Sequence, residues 1–337
     1  MKRYLITRAF LFLFTLWGIT IVTFGMLQLA PGSPLEMKLL SDPTGGMGDR
    51  SMITEDQIER LRAQYHLDKP ILHRYVLWLK DIAVLDFGTS FVDHRPVIEK
   101  IGERLPISLI FGGSAIFLAL FLGIPLGLLS GRFHNRPLDR GIAFFSIALY
   151  AMPSYVLGIL LLTFLGSDEF LNIFPIYGIQ SDNYRELSLF GKAFDRLHHF
   201  VLPCVCYSIG GLAYITQQQR ASILECLHQD YVRTARAKGQ TERVVFYRHA
   251  FRNSLIPIVT ILGALIPGIV GSSIIIESLF SIPGLGLLVF ESLLARDYPT
   301  IMANFVIGGV LTLSGILLSD ILYVVVDPRI HFGSANS

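Results

Sequence analysis

Charge is what this 337-residue sequence is short of. Only 16% of its residues are Asp, Glu, Lys or Arg, against about 25% in an ordinary soluble domain. Apolar residues make up 52% and mean hydropathy is +0.54, a balance that points to an integral membrane protein. Cysteine is scarce as well. Cys204, Cys206 and Cys226 are the only three, and no C-x-x-C occurs. Neither a disulfide framework nor a zinc or redox pair is expected, and the three thiols read as small apolar residues. The motifs of catalysis are missing too. No G-x-x-x-x-G-K-[ST] occurs, so the chain does not hydrolyse ATP through a P-loop of its own, and there is no G-x-S-x-G or H-E-x-x-H. The nine histidines are scattered, and the adjacent pair His198-His199 would project about 100° apart on a helix, a poor chelating geometry. Gly284-Leu285-Gly286 lacks the strand–helix context of a dinucleotide fingerprint. Asp86-Phe87-Gly88 lacks the glycine-rich loop and catalytic loop that would give it meaning as a kinase triplet. No catalytic residue, no metal site, no cofactor held by this chain and no nucleic-acid partner are expected.

What is present is a set of six apolar runs, at 9–30, 106–131, 141–166, 200–219, 254–276 and 303–326. Each can cross a hydrocarbon core of about 30 Å as a helix. The first is longer than the roughly 7–15 residues of a signal-peptide core and reads as a retained helix. Pro106, Pro125, Pro153, Pro203, Pro257 and Pro267 lie in or at the ends of these runs. In a membrane bundle neighbouring groups can satisfy the freed backbone, so the prolines read as kinks. Gly123, Gly127 and Gly131 stand four apart, the spacing that lets two helix backbones approach closely. Asp320 is the one acidic residue well inside a run. An intramembrane ionisable group is a candidate functional residue. Six residues short of the exit, about 9 Å along a helix, Asp320 is weighed more toward structural pairing than toward a transport role.

The basic residues give orientation. None of the 28 Lys and Arg falls inside a run. The loop 132–140 carries Arg132, Arg136 and Arg140, and 220–253 carries seven basic residues against three acidic. The loop 167–199 has three basic and five acidic residues, and 277–302 one and three. Because cytoplasmic loops are enriched in Lys and Arg, the sides alternate and both termini fall in the cytoplasm. Residues 31–105 differ in kind, with 10 basic and 12 acidic residues. They read as a small helical domain on the outer side. Thr54-Glu55-Asp56-Gln57 forms a capping box ahead of Ile58, Leu61 and Tyr65. Pro70 opens a second helix, with Ile71, Leu72, Tyr75, Val76, Leu79 and Ile82 on one face.

The loop 220–253 carries most information. Glu225 to Lys238 suits a helix, Gly239 supplies a C-terminal break, and 242–252 is a second amphipathic segment. Small residues at Thr234, Ala235 and Ala237 would let a helix sit deep in a groove, with basic residues at its rim. A solvated positive loop explains the charge but not this patch.

Tyr231-Val232-Arg233-Thr234-Ala235-Arg236-Ala237-Lys238-Gly239, followed by Arg248-His249-Ala250-Phe251-Arg252-Asn253-Ser254-Leu255-Ile256-Pro257, resembles the EAA loop of ABC-importer permeases of the dipeptide and oligopeptide branch. Further similar stretches are Leu29-Ala30-Pro31-Gly32-Ser33-Pro34, Asp86-Phe87-Gly88-Thr89-Ser90 with Arg104-Leu105-Pro106, Asp297-Tyr298-Pro299, and Asp320-Ile321-Leu322-Tyr323 through Asp327-Pro328-Arg329-Ile330. Phe174-Pro175 with Gly178 and the tail His331-Phe332-Gly333 favour the Yej-type microcin and peptide importers within that branch. Two departures matter. Arg233 stands near the place where the general motif has Glu, and the spacing from Gly239 to Pro257 is longer, so the Glu-dependent contact of other importers does not carry over.

The resemblance implies an all-α type I importer permease. It would comprise an N-terminal segment and first helix (1–30), an outer domain (31–105), a five-helix core (106–326) and a cytoplasmic tail (327–337). It implies a multi-pass protein of the bacterial inner membrane, paired with a second permease subunit as a heterodimer and surrounded by lipid. A periplasmic peptide-binding protein would deliver substrate. ATP and Mg would be bound by separate or fused ATPase subunits, gripping Tyr231, Arg233, Thr234, Ala235, Ala237, Lys238 and Gly239. The competing classes are an ion-coupled secondary transporter, disfavoured by the lack of inverted repeats and buried charges, a membrane-embedded scaffold, and a permease for another solute such as a nickel chelate.

Overall fold

A computed structural model of the chain describes residues 2–29, 69–259, 261, 265 and 274–326. The regular structure among the described residues is helical, apart from an isolated bridge between Thr89 and Pro96. The α-helices of six or more residues among them are α1 (Lys2–Leu29), α2 (Ile71–Ala83), α3 (Val97–Arg132), α4 (Pro137–Ala151), α5 (Ser154–Leu161), α6 (Leu189–Leu227), α7 (Asp230–Ala237), α8 (Ile274–Leu279), α9 (Leu285–Leu294) and α10 (Tyr298–Val326). The capping box, the helix around Leu61, most of the fifth run and the tail 327–337 lie outside the described residues.

Four helices among the described residues are long and apolar enough to cross a membrane: Ile6–Met26, Val97–Arg132, Leu189–Leu227 and Tyr298–Asp320. A fifth span arises if Pro137–Ala151 and Ser154–Gly166 are taken together. The run 141–166 is therefore not one straight helix. It bends by 98° at Met152-Pro153, where proline cannot donate to the helical ladder and Met152 is extended. The run 200–219 is also too short: α6 begins at Leu189, where the Ser188 hydroxyl accepts from the Gly191 N–H at 3.2 Å. That takes in His198-His199 as helical residues. The loop 277–302 is largely helical rather than irregular, because Ile274–Leu279 and Leu285–Leu294 bracket a turn at Ile282-Pro283-Gly284.

The chain forms two compact units. One is made from the residues up to Pro106 with Leu288–Leu313, the other from Ile107–Leu287 with the residues from Ser314 onward. In the first, Phe24 of α1 meets Tyr75 and Trp78 of α2 at ring-centroid distances of 5.3 and 5.6 Å, and Thr20 hydrogen-bonds Tyr75 at 2.7 Å. Tyr75, on the apolar face read from Ile71 to Ile82, thus meets the first helix, while Ile71, Leu72 and Val76 stay exposed. In the second, Phe111, Leu202, Cys206, Ile276, Phe280 and Ile282 are packed together as a buried core. Cys204 and Cys206 are both buried free thiols.

Candidate functional site

The basic loop folds as a compact appendage on the end of α6. That helix stops at His228, and Asp230 opens α7, where a carboxylate in the first turn suits the positive end of the helix. Gly239 closes α7. Its N–H donates to the Arg236 carbonyl at 2.9 Å, and the Gln240 N–H donates to the Ala235 carbonyl at 3.4 Å. This paired closure needs a left-handed residue, and Gly239 has φ +75°.

One face of α7 turns inward. Val232 and Ala235 are 0% and 5% exposed and pack with Ile223 of α6 and with Val245, Phe246 and Ala250. Leu128 of α3 packs against the same cluster. Ala235 is thus taken up in the loop's own packing. Its small side chain lets α7 settle on its own chain. The opposite face presents Tyr231, Arg233, Thr234, Ala237, Lys238 and Gly239, all exposed. Polar ties brace the appendage. Arg236 donates to Glu242 at 2.8 and 3.3 Å, His249 and Gln240 share a hydrogen bond at 2.6 Å, and Gln219 donates to Ser254 at 2.8 Å with both side chains buried.

Below the appendage α3 and α6 touch along small residues. A Cβ on Gly123 would lie 2.9 Å from Ile215, and one on Gly127 would lie 2.6 Å from both Gln219 and the Thr216 carbonyl; one on Gly131 would strike Ile223. The three glycines therefore face residues 215, 219 and 223, two four-residue ridges in register.

Three carboxylates took on significance only in three dimensions. Glu277, 0% exposed, accepts from the Ser108 hydroxyl at 2.9 Å, the Tyr207 hydroxyl at 3.1 Å and the Leu287 N–H at 3.0 Å. Counting spans by apolarity left it one residue outside the fifth run. Asp297, 1% exposed, accepts from Ser90 at 2.6 Å, the Phe91 N–H at 3.0 Å and Thr300 at 2.6 Å. It thereby joins two stretches, at 86–90 and 297–299, that sequence reading connected only through resemblance. Nearby, Asp93 pairs with Lys100 at 3.0 Å. Burial pushes its carboxyl up, but Lys100, the Arg95 N–H and Ser90 outweigh that and hold it below its ordinary value. Asp139 pairs with Arg220; sequence reading took both as loop residues. A signal was available for each in a polar residue beside an apolar run, but apolarity alone does not reveal the partner. Asp320 is half-buried in the last third of α10. No group of three or more His, Cys, Asp or Glu side chains able to hold a metal occurs among the described residues.

Residues 123–332 match the family described as "Binding-protein-dependent transport system inner membrane component". The chain is 39% identical to the "Oligopeptide transport system permease protein AppB" of Bacillus subtilis (strain 168) over 333 residues, 98% of this chain and 100% of that one. It is 37% identical to the "Dipeptide transport system permease protein DppB" of Lactococcus lactis subsp. cremoris (strain MG1363), covering 98% and 100%. It is 33% identical to the "Inner membrane ABC transporter permease protein YejB" of Escherichia coli O157:H7, covering 98% and 99%.

Proposed function

Because the chain belongs to the family of binding-protein-dependent transport system inner membrane components, we propose that it is the permease subunit of an ATP-driven importer carrying peptides across the bacterial inner membrane. Peptide as the substrate class is drawn from the relatives, which are oligopeptide and dipeptide permeases at 39% and 37% identity. The Yej-type relative, at 33%, does not stand above them, so the reading goes no finer than peptide.

The observation that carries the proposal is the fusion of the 228–254 appendage to two long helices through one apolar cluster. Ile223 and Leu128 bring α6 and α3 into contact with Val232, Val245 and Ala250. A packed cluster of this kind does not deform continuously, so force applied to the exposed face of α7 moves both helix ends as one body. The exposed Arg233, Thr234, Ala237, Lys238 and Gly239 form the surface that an ATPase subunit grips. ATP binding changes that grip, and the bundle shifts between states open to one side or the other. The shift requires that the appendage bind the two ATPase states unequally.

The chain acts as a transport subunit without chemistry of its own, with ATP and Mg held by its ATPase partners. Six spans, with both termini in the cytoplasm and residues 31–105 outside, account for the distribution of Lys and Arg. A second permease subunit completes the pathway, and a periplasmic binding protein delivers peptide to the outer domain. Reconstitution into vesicles with the ATPase and binding protein tests the whole reading. Labelled peptide should enter only with ATP, Mg and binding protein together; uptake driven by an ion gradient without ATP would favour a secondary transporter instead. The orientation has its own test: a His94→Cys variant should react with a membrane-impermeant maleimide added to intact spheroplasts, and protection there would reverse the topology.

A further inference from the structure

We infer that Asp139 and Arg220 form a positioning clamp that extends the moving body from α3 and α6 to α4, and so carries the ATPase stroke to the bent third span. The inference rests on the proposed ATPase contact of the appendage.

Asp139 lies in the first turn of α4 and is 1% exposed. Arg220 of α6 meets it side-on as a fork, Nε to Oδ1 at 2.6 Å and Nη2 to Oδ2 at 2.9 Å. The remaining acceptor capacity is filled. The Ser130 hydroxyl of α3 donates to Oδ1 at 2.5 Å, the Asn135 N–H donates to Oδ2 at 2.8 Å, and the His134 Nδ1 stands 3.4 Å from Oδ2. One carboxylate therefore ties α3, the 133–136 turn, α4 and α6 at a single point. A buried pair contributes little net stability against an apolar replacement, because desolvation offsets the attraction. Its geometry is the informative part: a planar bidentate fork fixes distance and angle together.

The location gives the clamp its role. Gly131, next to Ser130, is closed against Ile223 and the Arg220 carbonyl, and Ile223 is the residue of α6 that packs into the appendage. The clamp thus lies within one helical turn of the cluster that α7 moves. On the other side, α4 runs from Asp139 to the break at Met152-Pro153, beyond which Ser154–Gly166 turns off by 98°. Gln217, one turn before Arg220, also reaches α4 by donating to the Ala143 carbonyl at 3.3 Å. Motion of α6 is therefore handed to α4 by directed polar contacts in addition to packing.

The test uses the reconstituted complex carrying Asp139→Asn, Arg220→Gln or both, and reads three quantities: ATPase co-purification, thermal midpoint and peptide taken up per ATP hydrolysed. Arg220→Gln leaves the buried Asp139 carboxylate without its cation, and Asp139→Asn leaves the partly exposed Arg220 without its anion, so each should lower the midpoint, the first more; the double variant removes both charges and should recover it. Uptake per ATP should fall about tenfold in each single variant and stay low in the double variant, because the fork is absent there too. Co-purification of the ATPase should persist throughout. Recovery of both midpoint and uptake per ATP in the double variant would overturn the clamp, as would unchanged uptake per ATP in the singles. Failure of the unaltered complex to retain an ATPase would instead refute the underlying reading of the appendage.

Discussion

Replacing Gly127 by alanine adds one methyl group where two helix backbones meet, and its cost can be worked from distances. The new Cβ would stand 2.6 Å from the Thr216 carbonyl oxygen and 2.6 Å from the Gln219 Cβ. Neither can retreat. The first is helix backbone, and Gln219 is fully buried and held by its bond to Ser254. Ordinary contact begins at 3.4 Å, so α3 and α6 must part by about 0.8 Å along this ridge, and packing lost at that scale costs about 1–3 kcal/mol. Alanine's better helix propensity returns up to about 1 kcal/mol. The control is Gly113 on the same helix, whose Cβ would meet nothing within 4 Å; there only the propensity gain remains. The two variants should differ by about 2 kcal/mol, or roughly 3 °C in thermal midpoint for a chain of 337 residues, measured on purified protein in lipid nanodiscs. Gly123→Ala should fall between them, because its nearest neighbour is the side chain of Ile215 at 2.9 Å. Equal midpoints for Gly127→Ala and Gly113→Ala would refute the close α3–α6 approach.

Two further outcomes follow from local geometry. Gly239→Val places a β-branched residue at φ +75°, a conformation that costs an L-residue about 1–2 kcal/mol; ATPase co-purification should drop while the expression level in the membrane holds, and unchanged co-purification would mean the α7 cap is not needed for docking. Glu277→Ala leaves the Ser108 and Tyr207 hydroxyls and the Leu287 N–H without their acceptor, at about 1–3 kcal/mol, whereas Glu277→Gln retains an oxygen and hydroxyls that can reorient. The alanine variant should melt clearly below the glutamine one, and equal melting would remove Glu277 as an anchor of the 282–287 turn.

The sequence made some levels of this protein legible and hid others for physical reasons. Helix period and apolarity identified the Ile71–Ala83 helix, and the Gly239 break follows from the conformational freedom that only glycine has there. The spacing of Gly123, Gly127 and Gly131 pointed to a helix partner but could not name α6, because small residues specify closeness and not identity. Window hydropathy also misjudged lengths: α6 carries Lys192, Asp195 and Arg196 in its first turns, which excluded them from an apolar run although they are helical. The small side chain of Ala235 suits any close contact, and smallness alone does not say that it packs with Ile223, Val245 and Ala250 of its own chain. Asp139, Glu277 and Asp297 all lie outside the apolar runs, and the burial of each carboxylate depends on donors at 81, 169 and 207 residues' separation. Such long-range pairing leaves no period in a single sequence.

The central claim is that the exposed face of α7 touches an ATP-hydrolysing subunit. Ala237→Cys, in a background with Cys204, Cys206 and Cys226 replaced, places one thiol on that face for crosslinking in membranes containing the assembled transporter. The account predicts an adduct with the ATPase subunit whose yield changes when ATP is added. An adduct with the periplasmic binding protein, or none while an impermeant reagent labels the thiol from outside, would contradict it.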